Sequence, residues 1–149
     1  MRKGDLGLTD LLNETSVKKS DPRVRALAQL DVLTAALGYA KLKSKERDLE
    51  TLQKYLSSVC AETAGGKKLS RVAVVFIEDI TAKLEKKQKM PKTFVLPGKT
   101  EAETALHAAR AQCRLAETHL AALPSQNADV LRFVNRLSRY LFLLALKHT

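Results

Sequence analysis

Tryptophan is absent from this 149-residue chain, and aromatic residues make up 5% of it against 45% apolar residues in all. That excludes a core built from large rings. It implies an aliphatic one of Leu, Ala and Val, which suits interdigitating helices. Cysteine is scarce too: Cys60 and Cys113 stand far apart with no CxxC spacing, so neither a zinc site nor a disulfide framework can be read from them. The opening Met1-Arg2-Lys3-Gly4-Asp5 lacks the apolar region of a secretory signal. The longest apolar run, Tyr140 to Leu146, falls far short of the ~20 residues of a membrane span. These absences point to a soluble protein of a reducing compartment, the cytoplasm by default, with no membrane partner.

What is present is positive charge: 26 Lys and Arg against 16 Asp and Glu give a net +10. Such an excess favours anionic partners, whether nucleic acid, a membrane surface or a polyphosphate. The charge is scattered, with small Lys pairs at 18–19, 67–68 and 86–87, which is the pattern of solvated helix surfaces. A chain of this length is expected to form one domain, residues 1–149, that buries roughly two-thirds of its unfolded surface.

The periodicity predicts an all-α fold, a five-helix antiparallel bundle over residues 21–147 preceded by an irregular polar segment, 1–20. Asp21-Pro22 is a strong helix start, and Val24, Leu27, Leu30, Leu33 and Leu37 mark a 3.6-residue stripe to about Leu42. A second helix follows Ser44 and ends at Gly65-Gly66. Ser70 caps a third, striped by Val74, Ile77, Thr81 and Leu84 and stopped by Pro91. Thr100 with Glu103 forms a capping box for the fourth, which runs to Pro124. The fifth starts near Asn127. It is apolar nearly all round at its end, so it should be central or covered by another subunit. Val72–Ile77 could form a strand, but no partner strand exists elsewhere.

Two helix faces carry chemistry. Arg110, Arg114 and Glu117 are spaced i, i+4, i+7 beside the small residues Ala109, Cys113 and Ala116, and such charges need anionic or paired partners. Asn135, Ser138 and Phe142 share a face of the fifth helix. The loop Phe94-Val95-Leu96-Pro97-Gly98 precedes both. A solvated helix face and a satisfied core amide would explain each helix alone; together they favour a site.

These residues resemble the PduO-type ATP:cob(I)alamin adenosyltransferase family, in four blocks that span almost the whole chain. Arg2-Lys3-Gly4-Asp5-Leu6-Gly7-Leu8-Thr9 is similar to the family's N-terminal motif. Lys19-Ser20-Asp21-Pro22-Arg23-Val24 with Asp31 is similar to its second. Phe94 to Gly98 with His107-Ala108-Ala109-Arg110-Ala111-Gln112-Cys113-Arg114-Leu115-Ala116-Glu117 is similar to its third, and Asn135-Arg136-Leu137-Ser138 with Leu141-Phe142 to its fourth. The chain departs from the family pattern at Ala28, Val32, Thr34, Leu115 and Arg139, and Leu12-Asn13 replaces a Gly-containing turn. The loss of a Glu at position 32 is expected to alter helix packing.

The resemblance implies a trimeric helical bundle with its active site between subunits. Its reaction moves the 5′-deoxyadenosyl group of ATP onto cob(I)alamin, giving adenosylcobalamin and triphosphate with Mg²⁺ assisting. By the same resemblance Arg2, Lys3, Gly4, Thr9, Lys19, Arg114, Glu117 and Asn135 hold ATP. Glu117 orients ATP or a Mg²⁺-bound water; no side-chain cluster for the metal itself is seen. Asp31 pairs across the interface with Arg110, and Phe94 and Phe142 line the corrin side. A flavin reductase and an adenosylcobalamin-dependent enzyme are the implied partners, and the mitochondrial matrix is the implied location in a eukaryote. The chemistry agrees: a Gly-rich backbone with Lys and Arg donors suits a polyphosphate, and cob(I)alamin is nucleophile enough to need no general base. The competing readings are a catalytically weakened relative that carries ATP or cobalamin, and a basic bundle that binds nucleic acid.

Overall fold

The structure, a computed structural model, describes residues 1–124 and 127–149. Helices α1 (Pro22–Ser44), α2 (Asp48–Thr63), α3 (Arg71–Glu85), α4 (Glu101–Ala121) and α5 (Ala128–Lys147) fill most of them. Each start that the sequence marks with a cap is a cap in space. The Asp21 carboxylate accepts from Arg23 N–H at 2.9 Å, the Ser70 hydroxyl from Val72 N–H, the Thr100 hydroxyl from Glu103 N–H, and the Asn127 carbonyl from Asp129 N–H. Two ends differ from expectation. α3 stops at Glu85, well short of Pro91, and α4 at Ala121, short of Pro124. Beyond Leu84 the chain reads Glu85-Lys86-Lys87-Gln88-Lys89, with no apolar residue to bury and like charges on neighbouring turns.

The helices alternate in direction along the chain. Lys43 near the end of α1 meets Glu101 at the start of α4 (3.3 Å), and Thr100 before α4 donates to the carbonyl of His148 after α5 (2.8 Å). In space α4 lies between α1 and α5, α2 flanks α1, and α3 flanks α5. α3 and α5 run parallel: Arg132 pairs with Glu78 and, two turns on, Arg139 with Glu85. Residues 86–100 make the long crossover that lets α4 take the middle position. Tyr55 of α2 closes the ring against Phe76 of α3 (5.7 Å between centroids) and Phe133 of α5 (6.0 Å).

The core is aliphatic as composition requires. Leu30, Leu33 and Leu37 of α1, Leu49, Leu52 and Leu56 of α2, Ile77 of α3, Leu106 and Leu120 of α4, and Leu137 and Leu141 of α5 are fully buried. Each such side chain contributes about 1.5–3 kcal/mol relative to exposure. Val24 and Leu27, expected in the α1 stripe, are only half-buried, while Ala26 and Ala40 are covered completely. α1 is packed against both α2 and α4. The apolar face of α5, expected to be central or covered by another subunit, is covered within the chain: Val130, Phe133, Val134, Tyr140, Leu143, Leu144 and Ala145 are buried, with α3 and α4 as the packing neighbours of α5. Val32 is 45% exposed, so its side chain faces outward and does not alter helix packing within the chain.

The segment 1–20 holds no α-helix, as its lack of a helical period implies, but it contains short regular elements. A 3-10 turn, Lys3–Leu6, leads into an antiparallel ladder of β1 (Leu8–Thr9) with β2 (Val17–Lys18). Its ties are partly polar and local, with Asp10 accepting from Lys3 Nζ at 2.7 Å and from Ser16 N–H at 2.8 Å, while buried Leu11 and Val17 and the Leu12 N–H, which donates to the Ala64 carbonyl, join it to the bundle. Arg23 then fastens it to α1 through Glu14 (2.7 Å) and Asp21 (2.8 Å). Two-residue strands carry no readable period, which is why the sequence does not announce them.

Candidate functional site

α4 and α5 approach closely because Ala109, Cys113 and Ala116 are small and wholly buried, with the Cys113 thiol 3.3 Å from the Val134 carbonyl. Burial raises the Cys113 pKa, with the Glu117 charge adding to the effect, so this thiol is inert at neutral pH. The residue after each small one lies beside the seam. A cavity of about 590 Å³ opens there, lined by Arg110 and Arg114 of α4, Asn135, Arg136, Ser138, Arg139 and Phe142 of α5, and Glu85 of α3. That volume is within the range of small-molecule sites.

Of the residues expected at a site, the groove gathers Arg110, Arg114, Asn135, Ser138 and Phe142. Glu117 lies one turn beyond on α4, half-buried, with Oε2 shielded from solvent and without a hydrogen-bond partner. Arg136, Arg139 and Glu85 received no role from the sequence. The spacing of 135, 136, 138, 139 and 142 within one helix could have revealed the first two, since these positions share a face. Four guanidinium groups around one cavity, with a single carboxylate among them, repel one another unless an anion intervenes. Arg110 registers that: burial and then the neighbouring Arg114 charge lower its pKa. Planar guanidiniums recognise phosphate oxygens two at a time.

A second basic cluster forms in the N-terminal segment. Lys19 Nζ donates to the Gly4 carbonyl at 3.1 Å and Lys19 N–H to Gly7 O at 2.8 Å, while Arg2 N–H is capped by Asp5. Lys3 is held by Asp10, and Thr9 sits in β1. No residue of this segment lines the α4–α5 groove. Two further residues also stand away from it. Asp31 is exposed on α1 and, among the described residues, has no ion pair; the chain's own partner of Arg110 is His107, whose Nδ1 accepts from Arg110 Nε at 3.3 Å. Phe94 is 90% exposed in the 86–100 crossover and is not among the residues that line the groove.

The fold and the groove together define a five-helix bundle with an arginine-lined groove between its last two helices. Comparison makes this specific. The model of the cobalamin adenosyltransferase family matches residues 1–148, and the chain belongs to that family. It is 31% identical over 97% of its length to the corrinoid adenosyltransferase PduO of Salmonella typhimurium and 35% identical over 97% to a corrinoid adenosyltransferase of Citrobacter freundii. It covers 47% of the former and 90% of the latter, so it spans about half the length of the PduO relatives. Among solved structures, a variant PduO-type ATP:corrinoid adenosyltransferase from Lactobacillus reuteri complexed with cobalamin and ATP superimposes with a TM-score of 0.88 at 30% identity. That match covers 97% of this chain and 87% of the other. No helix among the described residues is long and apolar enough to cross a membrane.

Proposed function

We propose that this chain transfers the 5′-deoxyadenosyl group of ATP to cob(I)alamin, giving adenosylcobalamin and triphosphate. The observation that carries the reading is the groove itself, with two arginines on each of its α4 and α5 walls and the Phe142 ring in its lining. In the reaction the cobalt(I) lone pair attacks C5′, and the C5′–O bond breaks with its electrons leaving on triphosphate. No proton moves, so the protein needs no general base. Its work is to position C5′, neutralise the departing anion and exclude water. Arg110, Arg114, Arg136 and Arg139 suit the second task, and Asn135 can orient the nucleotide. Phe142, with Phe94 from the crossover, suits the corrin side.

Mg²⁺ fits this site only by way of ATP. The described residues contain no group of three or more His, Cys, Asp or Glu able to hold a metal ion. Glu117, with its buried and unpartnered oxygen, is an acceptor suited to a magnesium-bound water or a nucleotide hydroxyl.

The same reading makes the chain a trimer with its sites between subunits. Two observations support this. The N-terminal basic cluster and the α4–α5 groove are separate within one chain, though both suit phosphate. α1 also presents an outward stripe of Ala28, Val32, Ala35, Tyr39 and Leu42, continued on α4 by Leu115. Asp31 flanks that stripe, where a neighbour's Arg110 can reach it. A reductase delivering electrons to cobalt and an enzyme using adenosylcobalamin complete the scheme. The two cysteines, both free thiols, are consistent with the cytoplasm or, in a eukaryote, the mitochondrial matrix. The test is anaerobic: cob(I)alamin mixed with ATP and the protein should give the adenosylcobalamin spectrum. Binding of both without turnover would leave a cofactor carrier.

A further inference from the structure

The start of α4 holds a buried ionisable pair that the proposed chemistry leaves unused. Glu103 is 1% exposed and His107, one turn on, is 3% exposed. Glu103 Oε1 accepts from Gly98 N–H at 2.7 Å and Lys99 N–H at 2.6 Å, at a backbone turn where Gly98 takes φ +118°, a conformation few residues other than glycine adopt. Its other oxygen has no hydrogen-bond partner and lies 3.5 Å from His107 Nε2, itself unpartnered. His107 Nδ1 accepts from Arg110 Nε, and the imidazole edge stands against Phe142 at 6.0 Å between centroids.

The protons follow from this geometry. A guanidinium Nε can only donate, so Nδ1 must be bare, and a neutral ring then carries its proton on Nε2, the atom facing the free Glu103 oxygen. Burial and the Arg110 charge outweigh the Glu103 carboxylate and lower the His107 pKa, which keeps the ring neutral at physiological pH. Burial alone would raise the Glu103 pKa, but the Lys99 and Gly98 N–H groups that its carboxylate accepts from lower it, so the carboxylate stays charged. The result is a row of contacts: crossover backbone hydrogen-bonded to Glu103, Glu103 facing His107 at 3.5 Å, then His107 hydrogen-bonded to Arg110 and set against Phe142 in the groove.

We infer that Glu103 and His107 are positioning residues that fix the guanidinium plane of Arg110 and tie the crossover bearing Phe94 to the anion-binding groove. With Nε held by His107, both terminal nitrogens of Arg110 remain free for an anion. The Glu103 carboxylate in turn holds the ring in the one tautomer that can accept from Arg110. The inference rests on the groove being the triphosphate site, and its test separates the two.

The variants are His107→Leu, which removes the acceptor at similar volume, and His107→Asn, whose side-chain oxygen falls near the position of Nδ1. Tripolyphosphate binding is followed by calorimetry, and ¹⁵N NMR follows the His107 tautomer and the Arg110 Nε–H resonance. The wild type should show the Nε2–H tautomer and a slowly exchanging Arg110 Nε–H. His107→Leu should lose that protection and bind tripolyphosphate about tenfold more weakly, while His107→Asn keeps most of both. Glu103→Gln should broaden or shift the His107 signal, because its amide no longer dictates which nitrogen is protonated. An Nδ1–H tautomer in the wild type, or equal Arg110 protection in the Leu and Asn variants, overturns the inference even if tripolyphosphate proves not to bind. Intact NMR signatures without tripolyphosphate binding would overturn the assignment of the groove and leave the positioning role standing.

Discussion

Arg139 of α5 lies 3.2 Å from Glu85 of α3, so the carboxylate that lines the groove is spent on one of its four arginines. Both partners are about two-fifths exposed, and an ion pair in that setting is worth no more than about 1 kcal/mol. Its larger effect is on the field in the groove. Glu85→Gln should leave urea-induced unfolding within about 1 kcal/mol of wild type and strengthen tripolyphosphate binding about threefold at low salt, the gain fading as salt is added. Weaker binding in the variant would mean that Glu85 holds Arg139 where the anion needs it.

Arg114 is exposed and makes no ion pair among the described residues, yet it lines the groove. Its removal should therefore cost function and leave the fold alone. Arg114→Ala is expected to raise the ATP KM or lower kcat by about 10²-fold with an unchanged melting temperature. Steady-state kinetics beside a thermal melt decide it, and unaltered kinetics would remove Arg114 from the ATP site.

The starts of helices α1, α3, α4 and α5 were legible because a cap is a local device: one side chain reaching its own helix's first N–H groups. Helix ends were less so, since Glu85 ends α3 for want of anything to bury, a fact of the neighbours and not of the residues around Pro91. The groove was legible in half. Arg110, Arg114, Asn135 and Phe142 could be placed on two faces by spacing, but spacing does not say that α3 runs parallel to α5 and delivers Glu85 to Arg139. Nor does it separate the N-terminal cluster from the groove. Of the capping box, the Thr100 half stands as read, whereas the Glu103 carboxylate reaches past Thr100 to the N–H groups of Gly98 and Lys99. That Glu103 also faces His107 in the dry interior follows from α4 taking the middle position, which the long crossover sets.

Asp21 has a charged partner at both ends of its carboxylate: Arg23 meets it through the guanidinium and through its backbone N–H. These two contacts, the side-chain bond first, hold its pKa down to about 2 against an ordinary 3.8. Below 3.8 the unfolded chain therefore takes up a proton that the native state still refuses. The stabilisation is complete above about pH 4 and lost as the pH falls through about 2. Asp21→Asn keeps a capping oxygen but removes the titration, so its melting temperature should fall less steeply than wild type over that window. Parallel slopes by calorimetry would show that other carboxylates carry the acid sensitivity.

Tyr39 is 57% exposed on the α1 stripe, with Lys43 Nζ 5.6 Å from its ring centroid. A monomer gains nothing by exposing such a ring between Val32 and Leu42. Light scattering at micromolar concentration should give about three times the chain mass of 16.5 kDa, and Tyr39→Glu should lower it. A stable monomer that still turns over ATP and cob(I)alamin would sink the intersubunit site.

Phe94 gives the sharpest separation of structure from chemistry. Its ring is 90% exposed and no other ring stacks on it, so nothing within the chain depends on it for packing. Phe94→Ala should accordingly leave the melting temperature of the subunit unchanged. Its crossover is nonetheless anchored, because Gly98 and Lys99 are bonded to buried Glu103, which presents the ring near one end of α4 at no cost in core contacts. If the ring lies against the corrin and excludes the lower axial ligand of cobalt, the cob(II)alamin centre becomes easier to reduce. The variant should then be slow when started from cob(II)alamin with a reductant and far less impaired when started from chemically pre-reduced cob(I)alamin. Equal impairment by both routes would assign Phe94 to binding alone, and a lowered melting temperature of the assembly would assign it to a contact with the neighbouring subunit.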